Sequence, residues 1–144
     1  MSLPKITWHI LEEEDYVQDN EYYLGSFNTN DTISFEVQVW NNRYGQNNVD
    51  SINDAMLALY FENIEDTVLL NYCKVSVDNS AFEPLDIEVE RGVINIGRLY
   101  GGSNNGIANE STKHNYKNIK IEFSNLPYNL KNNLKNMFLD IEIK

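Results

Sequence analysis

Between Thr32 and Trp40 the chain reads TISFEVQVW, in which Ile33, Phe35, Val37 and Val39 alternate with Ser34, Glu36 and Gln38. A period of two is the mark of a strand with one face buried and the other wet. Its β-branched and aromatic residues suit a pleated, packed surface, and no Pro or Gly interrupts the run, so it reads as a central strand. Any fold for this chain has to bury that apolar face against something.

The same alternation recurs along the chain. Lys5–Leu11, Glu21–Phe27, Ala55–Phe61, Thr67–Asp78, Leu85–Glu90, Val93–Tyr100, Tyr116–Phe123 and Met137–Ile143 are further strand candidates. Thr67–Asp78 is expected to be long or bent, and Arg91-Gly92 is expected to be the turn joining Leu85–Glu90 to its partner. Leu126, Leu130 and Leu134, four apart, fit one or two helical turns over one end of the core. A list this rich in strands leaves few architectures. We expect an all-β, antiparallel β-sandwich, immunoglobulin-like or jelly-roll, formed as a single domain over residues 1–144. Ile33, Phe35, Val37, Val39, Val75, Val77, Ile121, Phe123, Leu139 and Ile141 are its predicted core.

Charge narrows the partners. With 22 acidic against 11 basic residues the formal net charge is −11. Binding to a phosphate backbone relies on Lys and Arg displacing counterions, so nucleic acid is not an expected partner, and an anionic membrane surface is disfavoured on the same ground. No apolar run approaches the roughly 20 residues of a spanning helix, and no basic, then apolar, leader opens the chain. The expectation is a soluble protein, cytoplasmic or virion-associated.

Motifs for chemistry are sparse. The two histidines, His9 and His114, and the lone Cys73 do not approach zinc-site spacing. The acid cluster Glu12–Asp15 matches no Ca²⁺ loop. GGSNNG, from Gly101 to Gly106, lacks the lysine and the following helix of a phosphate loop. His114 lies near Glu110, Ser111 and Thr112, the raw material for a triad, but polar loops collect such residues without chemistry. We therefore expect no catalytic residue, no metal and no cofactor.

Two long polar segments, Asn41–Asp54 and Gly101–Asn115, exceed ordinary hairpin loops, and long loops in compact domains tend to be functional or disordered. Trp40, Tyr44, Tyr100 and Tyr128 fall at strand ends or in loops, where rings act as platforms for sugars, as anchors at protein interfaces, or simply as caps on the core. Arg43, Asn104 and Asn105 supply hydrogen-bonding groups beside them. Trp40, Arg43, Tyr44, Tyr100, Asn104 and Asn105 are thus the candidate binding residues. The expected function is a non-enzymatic structural or protein-interaction module, assembling with itself or with other proteins; the alternative is a carbohydrate-binding module using the loop aromatics.

The chain carries twenty-two asparagines against four alanines, a bias that goes with an AT-rich genome. The segments DTISFEVQVWNNRYG, ALYFENIEDTVLL and IEFSNLPYNLKNNLKNMFLDI, spanning Asp31 to Ile143, resemble small β-sandwich proteins of phage and prophage structural modules in low-GC Gram-positive bacteria. The resemblance implies a non-enzymatic tail or baseplate component whose partners are other virion proteins. It rests on style rather than on a diagnostic motif and carries over no functional residue.

Overall fold

The computed structural model describes residues 3–10, 21–25, 32–43, 45–61, 64–124 and 135–143, with the backbone alone for 10, 21–25, 64–66 and 135–143. Among the described residues ten strands form: β1 (Ile6–Ile10), β2 (Glu21–Gly25), β3 (Ile33–Asn41), β4 (Ile52–Phe61), β5 (Cys73–Val77), β6 (Glu83–Pro84), β7 (Asp86–Glu88), β8 (Arg91–Leu99), β9 (Tyr116–Phe123) and β10 (Lys135–Ile143). They make two five-stranded sheets, ordered β1-β3-β9-β5-β6 and β2-β10-β4-β8-β7. Every pairing is antiparallel.

The pairing nests. Strand β5 pairs with β6, β4 with β8, β3 with β9 and β2 with β10, so the chain runs out through four strands and returns along them in reverse. Successive pairs alternate between the two sheets, which is the connectivity of a jelly roll rather than of an immunoglobulin sandwich.

The alternation in TISFEVQVW does the work expected of it. Phe35, Val37 and Val39 point inward and are buried, and their register against β9 sets Phe35 opposite Ile121 and Val37 opposite Ile119. From the other sheet come Leu57, Leu59, Ile94 and Ile96, completing one apolar cluster. Phe61 meets Phe123 edge to face across it, with ring centroids 6.1 Å apart. Of the other predicted core residues, Ile33, Val75 and Val77 are partly buried against this cluster. The side chains of Leu139 and Ile141 lie outside the described residues.

Three expectations are corrected. Thr67–Asp78 is not one strand: Ile64–Tyr72 is a 3-10 helix and only Cys73–Val77 is extended. Leu69 and Leu70 are adjacent in sequence and both buried, which a period of two cannot achieve on one face but a helical turn can. Leu85–Glu90 is not one strand either. The chain leaves the first sheet at Pro84 and joins the second at Asp86, with buried Leu85 as the pivot, its N–H bonded to Cys73 O at 3.1 Å. Ile87 and Val89, expected to share Leu85's inward face, are therefore exposed on an edge. The turn that follows is Val89-Glu90, both with positive φ, because Arg91 and Gly92 already pair with Glu88 and Ile87 in β8. The Leu126–Leu134 turns and the Glu12–Asp15 cluster lie outside the described residues.

Candidate functional site

Segments 41–54 and 100–115 meet at one end of the sandwich, and asparagine side chains lock them together. Asn41 is fully buried; its Oδ1 accepts from Lys5 N (3.0 Å), and its Nδ2 donates to Asp50 O (3.0 Å) and Leu99 O (3.3 Å). Asn42 adopts the left-handed conformation, with φ 63°, which Asn tolerates better than most residues. Its Nδ2 donates to Asn47 O at 2.8 Å. Asn115 Nδ2 donates to Tyr100 O and Gly102 O, both at 3.0 Å. A short polar side chain carrying both donor and acceptor satisfies loop backbone that water no longer reaches.

This locking decides what the predicted residues can do. Trp40, expected as a platform, has no accessible surface: its ring sits 4.7 Å from that of Tyr116, Arg43 Cζ lies 5.3 Å above it, and its Nε1 donates to Gln38 Oε1 at 2.6 Å. A ring enclosed in this way offers no face to a ligand. Arg43 donates from Nε to Gly106 O at 3.2 Å, so it fastens one loop to the other. Asn104 does likewise, donating from Nδ2 to Asn42 O and accepting Gly106 N–H at Oδ1. Asn105 is exposed, with its Oδ1 on Ile107 N. Tyr44 and Tyr128 lie outside the described residues. Of the candidates among the described residues, Tyr100 alone keeps a large free ring surface, half exposed.

Tyr100 borders a groove of about 560 Å³, lined also by Asp78, Arg98, Lys113, His114, Tyr116 and Lys117, which continues past Asn79 and Asn118. Rigid backbone holds each wall. Tyr100 N donates to His114 O (2.7 Å), and a Cβ on Gly102 would collide with the Tyr100 ring, so the missing side chain lets that ring lie across the loop. Asp78 and Asn79 both have positive φ, with Ser80 N on Val77 O at 3.0 Å, the pattern of a tight primed turn. Asp78 accepts Asn118 N at 3.0 Å. Burial, then the charges of Asp78 and Glu110, push the Tyr116 hydroxyl's pKa up. Compared with known proteins, the chain matches no family model, no curated protein and no solved structure.

Sequence reasoning took Tyr100 but missed Arg98, Lys113 and Lys117. A signal was present: from Arg98 to Lys117 only Glu110 is acidic, in a chain where acids outnumber bases two to one.

The hydroxyls near His114 are committed elsewhere. Ser111 Oγ donates to Asn109 Oδ1 and Thr112 Oγ1 to Ile107 O, both at 2.6 Å. Burial lifts the Cys73 thiol to about 12, which makes it a small apolar side chain rather than a nucleophile. Among the described residues no three of His, Cys, Asp and Glu converge on one point, and no helix is long and apolar enough to cross a membrane. On the outer face of β1, buried His9 bonds Thr7 Oγ1 through Nε2 at 2.9 Å. Burial first, and the charge of Arg43 second, hold its pKa down to about 4.

Proposed function

We propose that this protein is a non-enzymatic recognition module that holds its ligand in the groove between Tyr100 and Tyr116. The observation that carries this reading is the groove itself. It is a concavity within the usual size range of ligand sites, walled by hydrogen-bonded backbone, with an exposed ring beside polar and charged groups. The hydroxyls that an active site would need are bonded within their own loop, Ser111 to the Asn109 side chain and Thr112 to the Ile107 carbonyl, which supports binding over catalysis. The ring and the hydrogen-bonding groups favour a carbohydrate. The resemblance of Asp31–Ile143 to phage structural proteins supports a setting in a tail or baseplate, where such a module attaches the particle to a glycan surface.

The test is an array of bacterial surface glycans probed with the intact chain and with Tyr100→Ala. Retention of at least one glycan, reduced at least tenfold by the substitution, is the expected result. Retention of none would remove the reading.

A second reading, docking onto another protein, is favoured by a different observation. Phe82, Ile87 and Val89 are exposed along the β6–β7 edge, among Glu83, Asp86, Glu88 and Glu90. An edge strand offers unpaired backbone groups to a partner strand, and the acids select a basic partner over a second copy of this chain. A 1:1 complex with a purified virion protein, lost on Ile87→Lys, would establish it.

A further inference from the structure

The groove's charge runs against that of the whole molecule. In a chain with net charge −11, Arg98, Lys113 and Lys117 face one cavity in which Asp78 is the single lining carboxylate among the described residues. Lys113 is paired with Glu110, Nζ to Oε1 at 3.1 Å. Arg98 and Lys117 have no carboxylate partner among the described residues. Lys117 is half-buried at an inward-facing position of β9, and its Nζ lies 3.7 Å from where a Cβ on Gly97 would stand. Gly97, with φ 78°, leaves that space open at a bulge of β8. Cations that face a groove without a carboxylate partner of their own are completed by an anion from outside.

We propose that the groove binds an anionic saccharide, a sugar unit carrying a carboxylate or a phosphate. The inference rests on the binding-module reading above and gives the ligand its chemical class. Arg98 and Lys117 hold the anionic group. Tyr100 gives the sugar ring a flat apolar face, and Asp78, with a second carboxylate oxygen beyond the one on Asn118 N, accepts from its hydroxyls. The acid-rich remainder of the surface repels long polyanions, while a short acidic sugar feels chiefly the local cations.

Amide chemical shifts of the intact protein are to be followed against four probes: trigalacturonic acid, mannose 6-phosphate, neutral galactotriose and a tri-glutamate peptide. The same spectra show that each variant is folded. The expected result is saturable shifts at residues 98–100 and 113–118 with at least one of the two acidic sugars. Binding should be at least tenfold tighter than that of the neutral sugar or the peptide, and weakened at least tenfold in both Arg98→Gln and Lys117→Gln. The first two probes separate carboxylate from phosphate as the source of charge. Neutral galactotriose binding as tightly as the acidic sugars would overturn the anionic class while leaving the recognition module standing. Tri-glutamate binding as tightly would overturn the saccharide, and no shift in the groove with any probe would overturn the site.

Discussion

Two regions of this molecule invert the usual sorting of side chains. At the loop end Asn41, Asn42 and Asn115 are polar and buried; along the β6–β7 edge Phe82, Ile87 and Val89 are apolar and exposed. The difference follows from the backbone. Where 41–54 and 100–115 fold over one another, carbonyls and N–H groups lose water, and an amide side chain answers them at less cost than an apolar one that leaves them bare. Where the chain passes from one sheet to the other at Leu85, the strands on either side are sheet edges, and the apolar residues there are exposed among the described residues. Position in the hydrogen-bonding scheme, more than hydropathy, decides burial in both places.

The comparison breaks if the buried amides prove dispensable. Asn41→Ala strands the Lys5 N–H and removes a donor from two carbonyls, so we expect a loss of about 3–4 kcal/mol, read from the denaturant midpoint. A loss below about 1 kcal/mol would mean that water replaces the amide.

His9 extends the same logic to a titratable group. Its folded pKa of about 4 lies below the ordinary 6.5, so between these values the unfolded chain binds the extra proton. Stability from His9 is therefore complete above pH 6.5 and is lost as pH falls toward 4, by about 3 kcal/mol in all. Urea midpoints at pH 7 and pH 4.5 for the native chain and for His9→Gln should diverge, the variant showing the flatter profile.

At the edge the effects shrink and one changes sign. Val89 is a β-branched residue with positive φ at a two-residue turn, a place that Asn occupies with less strain. Val89→Asn should raise stability by about 0.5–1 kcal/mol. Ile87→Thr, on the exposed edge, should change the melting free energy by less than about 0.5 kcal/mol, and a larger loss would show that this edge is covered.

How much of this the sequence disclosed depends on the period of each segment. Strands β3, β8 and β9, whose alternation is regular, are legible to within a residue or two, and the buried face of β3 follows directly. Ile64–Tyr72 is illegible, since Thr67–Tyr72 can be read as half of a strand until Leu69 and Leu70 are both required in the core. The choice of jelly roll over immunoglobulin sandwich depends on which strands pair, and no local pattern records that. At the site Tyr100 is legible as a ring near a loop, whereas Trp40 is misleading. Gln38 and Trp40 stand on the outward face of β3, where alternation implies water, yet both are buried with a hydrogen bond between them. The groove joins Asp78 to Arg98 and Lys117 through β5, β8 and β9, a convergence made by topology.

The nested pairing also sets an order in time. Strand β5 finds β6 a few residues away, but β4 must wait for β8, β3 for β9, and β2 for β10. On the ribosome the strand Ile33–Asn41, with its apolar face, emerges long before Tyr116–Phe123 exists to pair with it. Such distant pairing places refolding in the range of about milliseconds to seconds rather than microseconds. During that interval the excess of negative charge repels unpaired nascent strands of neighbouring chains from one another, an advantage of acidity that belongs to synthesis rather than to the folded state.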